Sequence, residues 1–283
     1  MIYFPFFGAL ALGAGIVLEK IILRKRKIGI EQYQVAGFLT IILVMLPFVY
    51  FFWSVSSEAL KLKNAIIFLF VILFSLFANF FTFYSVKWAK ISNIEPAKML
   101  EPIFTIFLAV IFSFVFGEAL YERNTRILAP ALIAGGALVF SHVKKHHLQF
   151  SKYFLSAIAG SFFFALELVT SRLILGFYSP VSFYFLRCAA IFLVGFAVFR
   201  PDIGKLDKKV KMEILLVGAV WVIYRIIVYY GYLNFGVVFT TLLIMLAPIF
   251  VYLLAWKFLH EKINWKNIVA SIIIVGCVIY AVS

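Results

Sequence analysis

Arg187 and Arg225 each stand near the middle of a long apolar run, and Glu101 sits likewise in another, three residues after Lys98 and six after Glu95. A charge at the centre of a bilayer helix costs roughly 2.5–3.5 kcal/mol on insertion scales, so several of them at depth must face a wet cavity or one another. A guanidinium is a planar fork that holds carboxylates and phosphates through paired hydrogen bonds, which makes Arg187 and Arg225 candidates for binding an anion. Lys98 and Glu101 then offer the opposite end of a zwitterion, or in Glu101 a proton carrier. Tyr184 and Trp221 lie one helical turn before these arginines and Tyr224 lies beside Arg225, where their faces can wall a pocket and stack on a guanidinium.

The spacing of Glu95, Lys98 and Glu101 places all three on one helical stripe with the lysine between two acids. Such a ladder either lines a substrate path or merely docks its helix onto Arg187 or Arg225; spacing alone leaves both open. Glu19 and Glu167 lie late in their apolar runs, each followed five residues later by an arginine, Arg24 or Arg172. They read as interfacial acids snorkelling beside a basic neighbour, with coupling or gating as the alternative. Pro102, directly after Glu101, and Pro248 each remove an amide and are expected to kink their helices.

Other chemistries leave no trace. The sequence has no H-E-x-x-H, no G-x-S-x-G and no Walker-type glycine loop, so neither an enzyme nor direct ATP coupling is expected. Cys188 and Cys277 lie in separate apolar runs without a nearby histidine, and His142, His146 and His147 sit among lysines, so no metal site is expected.

These residues need helices to position them. The chain has 283 residues, 65% hydrophobic and only 13% charged, with a mean hydropathy of +1.08. Soluble domains carry about 25% charged residues; this composition belongs to an integral membrane protein. A net charge of +14 suggests nucleic acid in a soluble protein, but here the basic residues cluster between apolar runs and act as topology determinants, so no nucleic-acid partner is expected. The first apolar run has no basic segment before it and reads as a retained span rather than a cleaved signal.

Segments long enough to cross the bilayer cover 3–23, 33–53, 64–86, 92–116, 126–142, 152–172, 178–199, 211–233, 236–257 and 265–282. Arg24 to Lys27, Lys87, Lys90, Lys144, Lys145, Lys152, Arg200, Lys205, Lys208, Lys209, Lys211, Lys262 and Lys266 all fall on odd-numbered connections. The positive-inside rule makes those connections cytoplasmic and puts both termini outside.

Residues 99–109 and 245–255 share seven of eleven identities at a separation of 146, and Leu18-Glu19 with Arg24 match Leu166-Glu167 with Arg172 at 148. The chain therefore reads as a duplication, 1–146 and 147–283. Five spans is an odd number, so the two units must insert in opposite orientations, the architecture of alternating-access transporters. The expected fold is all-α: ten transmembrane helices as two inverted five-helix repeats.

Each unit ends with a proline, an apolar stretch closing on Glu and a glycine-bearing last span: Pro248 to Glu261 then Gly276, and Pro102 to Glu118 then Gly135-Gly136. Tyr229-Tyr230 and Phe83-Tyr84 precede the penultimate helices. In these features the chain resembles ten-span members of the drug/metabolite transporter superfamily, of the EamA type. Its first unit has three extra residues between Pro and Glu, and the in-membrane charges map onto no general family pattern. The resemblance implies a secondary transporter, an exporter or exchanger of small polar metabolites with amino acids foremost, in a prokaryotic plasma membrane and without an obligatory cofactor. Its partners would be a small-molecule substrate and the lipid bilayer; a monomer is compatible with this, and the oligomeric state stays open. A lipid flippase or lipid-modifying membrane enzyme is the alternative.

Overall fold

The computed structural model describes residues 4–25, 28–88, 97–98, 100–117, 125–142, 151–259 and 265–283. Its helices are α1 (Phe4–Lys25), α2 (Ile30–Phe52), α3 (Leu62–Trp88), α4 (Glu101–Phe116), α5 (Thr125–His142), α6 (Lys152–Leu175), α7 (Pro180–Phe199), α8 (Lys208–Asn234), α9 (Val237–Ile244), α10 (Ala247–Leu259) and α11 (Trp265–Val282). Among the described residues eight stretches are long and apolar enough to span a bilayer, α9 and α10 together forming one, and α4 and α5 supply two shorter apolar helices. This is an all-α, multi-pass membrane protein of about ten spans. Large apolar side chains face outward, among them Phe51, Leu193 and Ile272, as a hydrocarbon solvent requires.

Local sequence explains where helices start and stop. Ser151 and Ser179 cap α6 and α7 by accepting bonds from Phe154 N and Ser182 N, and Pro180 occupies the first turn of α7, where no amide is needed. Gly117 (φ 107°) and Gly236 (φ 83°) take left-handed backbone after α4 and before α9. The chain turns between α8 and α9 at Phe235-Gly236.

The fourth span of each half is broken. Sequence spacing gives one continuous helix over 92–116, but a turn at Leu100 separates helical residues 97–98 from α4, and a turn at Met245-Leu246 separates α9 from α10. The two breaks share one hydrogen bond at the repeat separation, Leu100 N to Ala97 O at 3.2 Å and Leu246 N to Leu243 O at 3.2 Å. Pro102 and Pro248 follow directly and have no amide to offer the preceding turn. Glu101 thus begins a helix rather than lying nine residues within one.

Packing joins the halves. α1 lies against α8 and α10, and α6 lies against α3 and α4; α2 pairs with α7, and α5 with α11. Exchanging the two halves maps the first set of contacts onto the second and returns the last two pairs to themselves. Where α3 meets α6 the approach is close enough to demand Gly160, since a Cβ there would lie 2.5 Å from Thr82 Oγ1 and 3.1 Å from its backbone N.

One end of the bundle is sealed by backbone. Val55, between α2 and α3, forms an antiparallel bridge with Tyr178, between α6 and α7. Ser56 N donates to Phe177 O, Ser179 N donates to Ser54 O, and Ser54 N donates to Ser182 Oγ, at 2.8–2.9 Å. Tyr178 stacks on Phe68, and Phe183 packs edge-on against both.

Candidate functional site

Inside the bundle, residues of both halves enclose a cavity of about 230 Å³. It runs from Arg187 and Tyr184, below the sealed end, toward Tyr33, Gln34 and Ile214, near the opposite ends of α2 and α8. Arg187, Arg225, Lys98, Glu101, Tyr184, Trp221, Tyr224, Glu19, Pro102 and Pro248 all line it. Glu95 lies outside the described residues.

Charge at the sealed end centres on an acid that sequence spacing assigns to the membrane surface. Glu167 is not interfacial; it is fully buried, and it sits between both arginines. Its Oε1 lies 3.3 Å from Arg187 Nε, and its Oε2 lies 3.3 Å from Arg225 Nη1. The partners stand on different helices, α7 and α8, which spacing along α6 cannot report. Tyr229 OH donates to Glu167 Oε1 at 2.8 Å and accepts from Arg187 Nη1 at 3.3 Å, while Ser171 Oγ donates to the same carboxylate at 3.3 Å. Arg187 Nε also donates to Ser75 Oγ at 2.8 Å, and Ser75 O accepts from Asn79 at 2.7 Å.

The two arginines are held differently. Arg187 is 2% exposed and hydrogen-bonded to Ser75 and Tyr229. Arg225 is 6% exposed, yet Nη1 makes no hydrogen bond despite its proximity to Glu167, and neither does Glu167 Oε2. Its guanidinium lies over the rings of Phe164 and Tyr224, each 5.6 Å from the centroid. Such contacts contribute about 0.5–2 kcal/mol but supply no oxygen acceptor to its N–H donors.

Nearer the other end, Glu101 lies in the field of Arg225, Glu167 and Lys98, and Glu19 lies beside Trp221 in the field of Lys98. The ion pairs of both arginines run to Glu167, not to the Lys98–Glu101 stripe. Tyr184 stacks on Arg187, centroid to guanidinium 5.8 Å, and Trp221 meets Tyr224 edge-on.

Sequence reasoning missed Ser75 and Asn79 as parts of this network. A signal existed for Asn79, which is the counterpart of Arg225 at the 146-residue separation. Both line the cavity. Among the described residues no cluster of histidine, cysteine or acids has the makings of a metal site.

A broken, helix-built bundle around a buried charged cavity defines the class as a multi-pass membrane protein. Residues 151–283 match the EamA-like transporter family. A solved crystal structure superposes with a TM-score of 0.71 over 99% of this chain and 96% of its own, at 17% identity, and so shares the fold. No curated protein matches the sequence. The second half of the chain is thus EamA-like in sequence, and the shared fold extends over nearly the whole chain.

Proposed function

We propose that this protein is a secondary transporter, exporter or exchanger, of small polar metabolites, with amino-acid-like zwitterions as the best substrates. Residues 1–146 and 147–283 act as two oppositely inserted five-helix units that expose the cavity to one face at a time. The observation that carries this reading is Arg225, a buried guanidinium lining the cavity with no hydrogen bond from Nη1. A fixed cation without a saturating partner is a receptor for a carboxylate or phosphate. Glu101 and Glu19, around Lys98, offer an acidic surround for an ammonium group. By the positive-inside rule the sealed end faces outward, so this conformation opens inward, and both termini lie outside.

Counterflow of labelled amino acids in proteoliposomes tests the assignment. Wild type should exchange at least one zwitterion, and Arg225→Gln should abolish exchange while reaching the membrane folded. Equal exchange by that variant would remove Arg225 from the site.

A further inference from the structure

At the sealed end two cations meet one acid. Arg187 is the better engaged of the two: its Nε lies 3.3 Å from Glu167 Oε1 and donates to Ser75 Oγ, and its Nη1 donates to Tyr229 OH. Oε1 also accepts from Tyr229 and Ser171, so the carboxylate is engaged mainly on the Arg187 side. Arg225 has a single 3.3 Å approach to Oε2, without hydrogen-bond geometry at either atom. Around Glu167 two guanidiniums therefore face one carboxylate, and the less engaged of them, Arg225, is presented to the cavity with Glu101 as the next carboxylate in its field.

We infer that Glu167 is a specificity-determining residue that limits this end of the site to a ligand group bearing one negative charge, selecting single carboxylates over dicarboxylates and phosphate esters. The inference rests on the anion-binding reading of Arg225 given above and deepens it. One carboxylate matches the second guanidinium. A second negative charge in the same enclosure would meet Glu167 with no cation left to answer it, and repulsion is strong where water is excluded. The other end does not rescue a dianion. Glu101 lies in the field of both Arg225 and Lys98, and Glu19 in that of Lys98, so that end has no uncommitted cation. It suits an ammonium group and repels a second carboxylate.

Two isosteric probe pairs separate charge from shape: L-glutamine with L-glutamate, and monomethyl succinate with succinate. Thermal stabilisation of the detergent-purified protein at neutral pH reads binding, since a ligand that binds only the folded state raises apparent stability. In wild type the singly charged carboxylate of at least one pair should half-saturate at a concentration about tenfold or more below its dianionic partner. Glu167→Gln should remove or reverse that preference. The double variant Glu167→Gln with Arg187→Gln deletes one charge of each sign, leaves the net charge of the three groups unchanged, and should restore the wild-type order. It also decides the matter if the single variant does not fold. Equal binding of the two members of each pair by wild type overturns the inference while leaving the anion site standing, and so does loss of preference in the double variant. If no probe stabilises wild type, or if Arg225→Gln binds the probes as wild type does, the anion site itself falls and the selector falls with it.

Discussion

Glu167 is one anion serving two buried cations, and that asymmetry dictates how substitutions there will behave. Removing it leaves Arg187 and Arg225 facing each other without compensation; breaking a buried pair in this way costs about 3–5 kcal/mol. Removing Arg225 instead leaves a matched Arg187–Glu167 pair. Arg225→Gln should therefore unfold at the wild-type temperature or above it, while Glu167→Gln unfolds well below, in thermal denaturation of the purified protein. A reversed order would show that Glu167 does not compensate both arginines. Tyr229→Phe keeps the ring against Phe183 but deletes the hydroxyl that joins Glu167 to Arg187. The cost should be about 1–3 kcal/mol, typical of hydrogen bonds to charged groups, read from the same melts. The depth of Arg187 and Arg225 was legible in the sequence because a charge in an apolar run has few explanations. Their partner was not. Glu167 lies 20 and 58 residues away from them, and nothing in its own helix distinguishes it from Glu19.

Helices were the most legible level, since in hydrocarbon a segment must satisfy its own backbone and its length is fixed by bilayer thickness. The prolines marked the right places in the fourth spans, but kinks were expected and breaks are found. Nothing in the pattern of apolar residues reports that a helix restarts at Glu101, because both pieces are equally apolar. Helix contacts were illegible for a different reason: lipid-facing and helix-facing positions are both apolar, so only small residues hint at close approach. Gly160 is such a hint. An alanine there must push Thr82, including its backbone, and Gly160→Ala should destabilise by about 1–3 kcal/mol, the usual cost of overpacking. Gly136 is the control, since a Cβ there meets nothing within 4 Å. Gly136→Ala should be neutral or stabilising by about 0.5–1 kcal/mol, as expected for a helix interior. Equal effects at both positions would mean that the α3–α6 contact is looser than described.

Across the whole molecule, the proposed transport cycle draws on packing in which α1 against α8 and α10 has a counterpart in α6 against α3 and α4, with the roles of the halves reversed. In the proposed cycle two such arrangements alternate, and the structure is the one with the Val55–Tyr178 bridge closed. The bridge is narrow: a few backbone bonds and the serines beside it, backed by the Phe68, Tyr178 and Phe183 rings. Opening it costs a handful of hydrogen bonds at about 0.5–1.5 kcal/mol net each, within reach of ligand binding energy. A covalent lock tests whether it must open. Directly opposed antiparallel residues have Cα atoms about 4.5–5.5 Å apart, inside the roughly 4.4–6.8 Å range that a disulfide spans. The pair Val55→Cys and Tyr178→Cys should cross-link on mild oxidation. Counterflow should then stop and return on reduction, while monomethyl succinate still stabilises the locked protein because the cavity lies on the far side of the seal. Undiminished counterflow with the cross-link formed would show that substrate does not leave by this end, and alternating access around Arg225 would have to be abandoned.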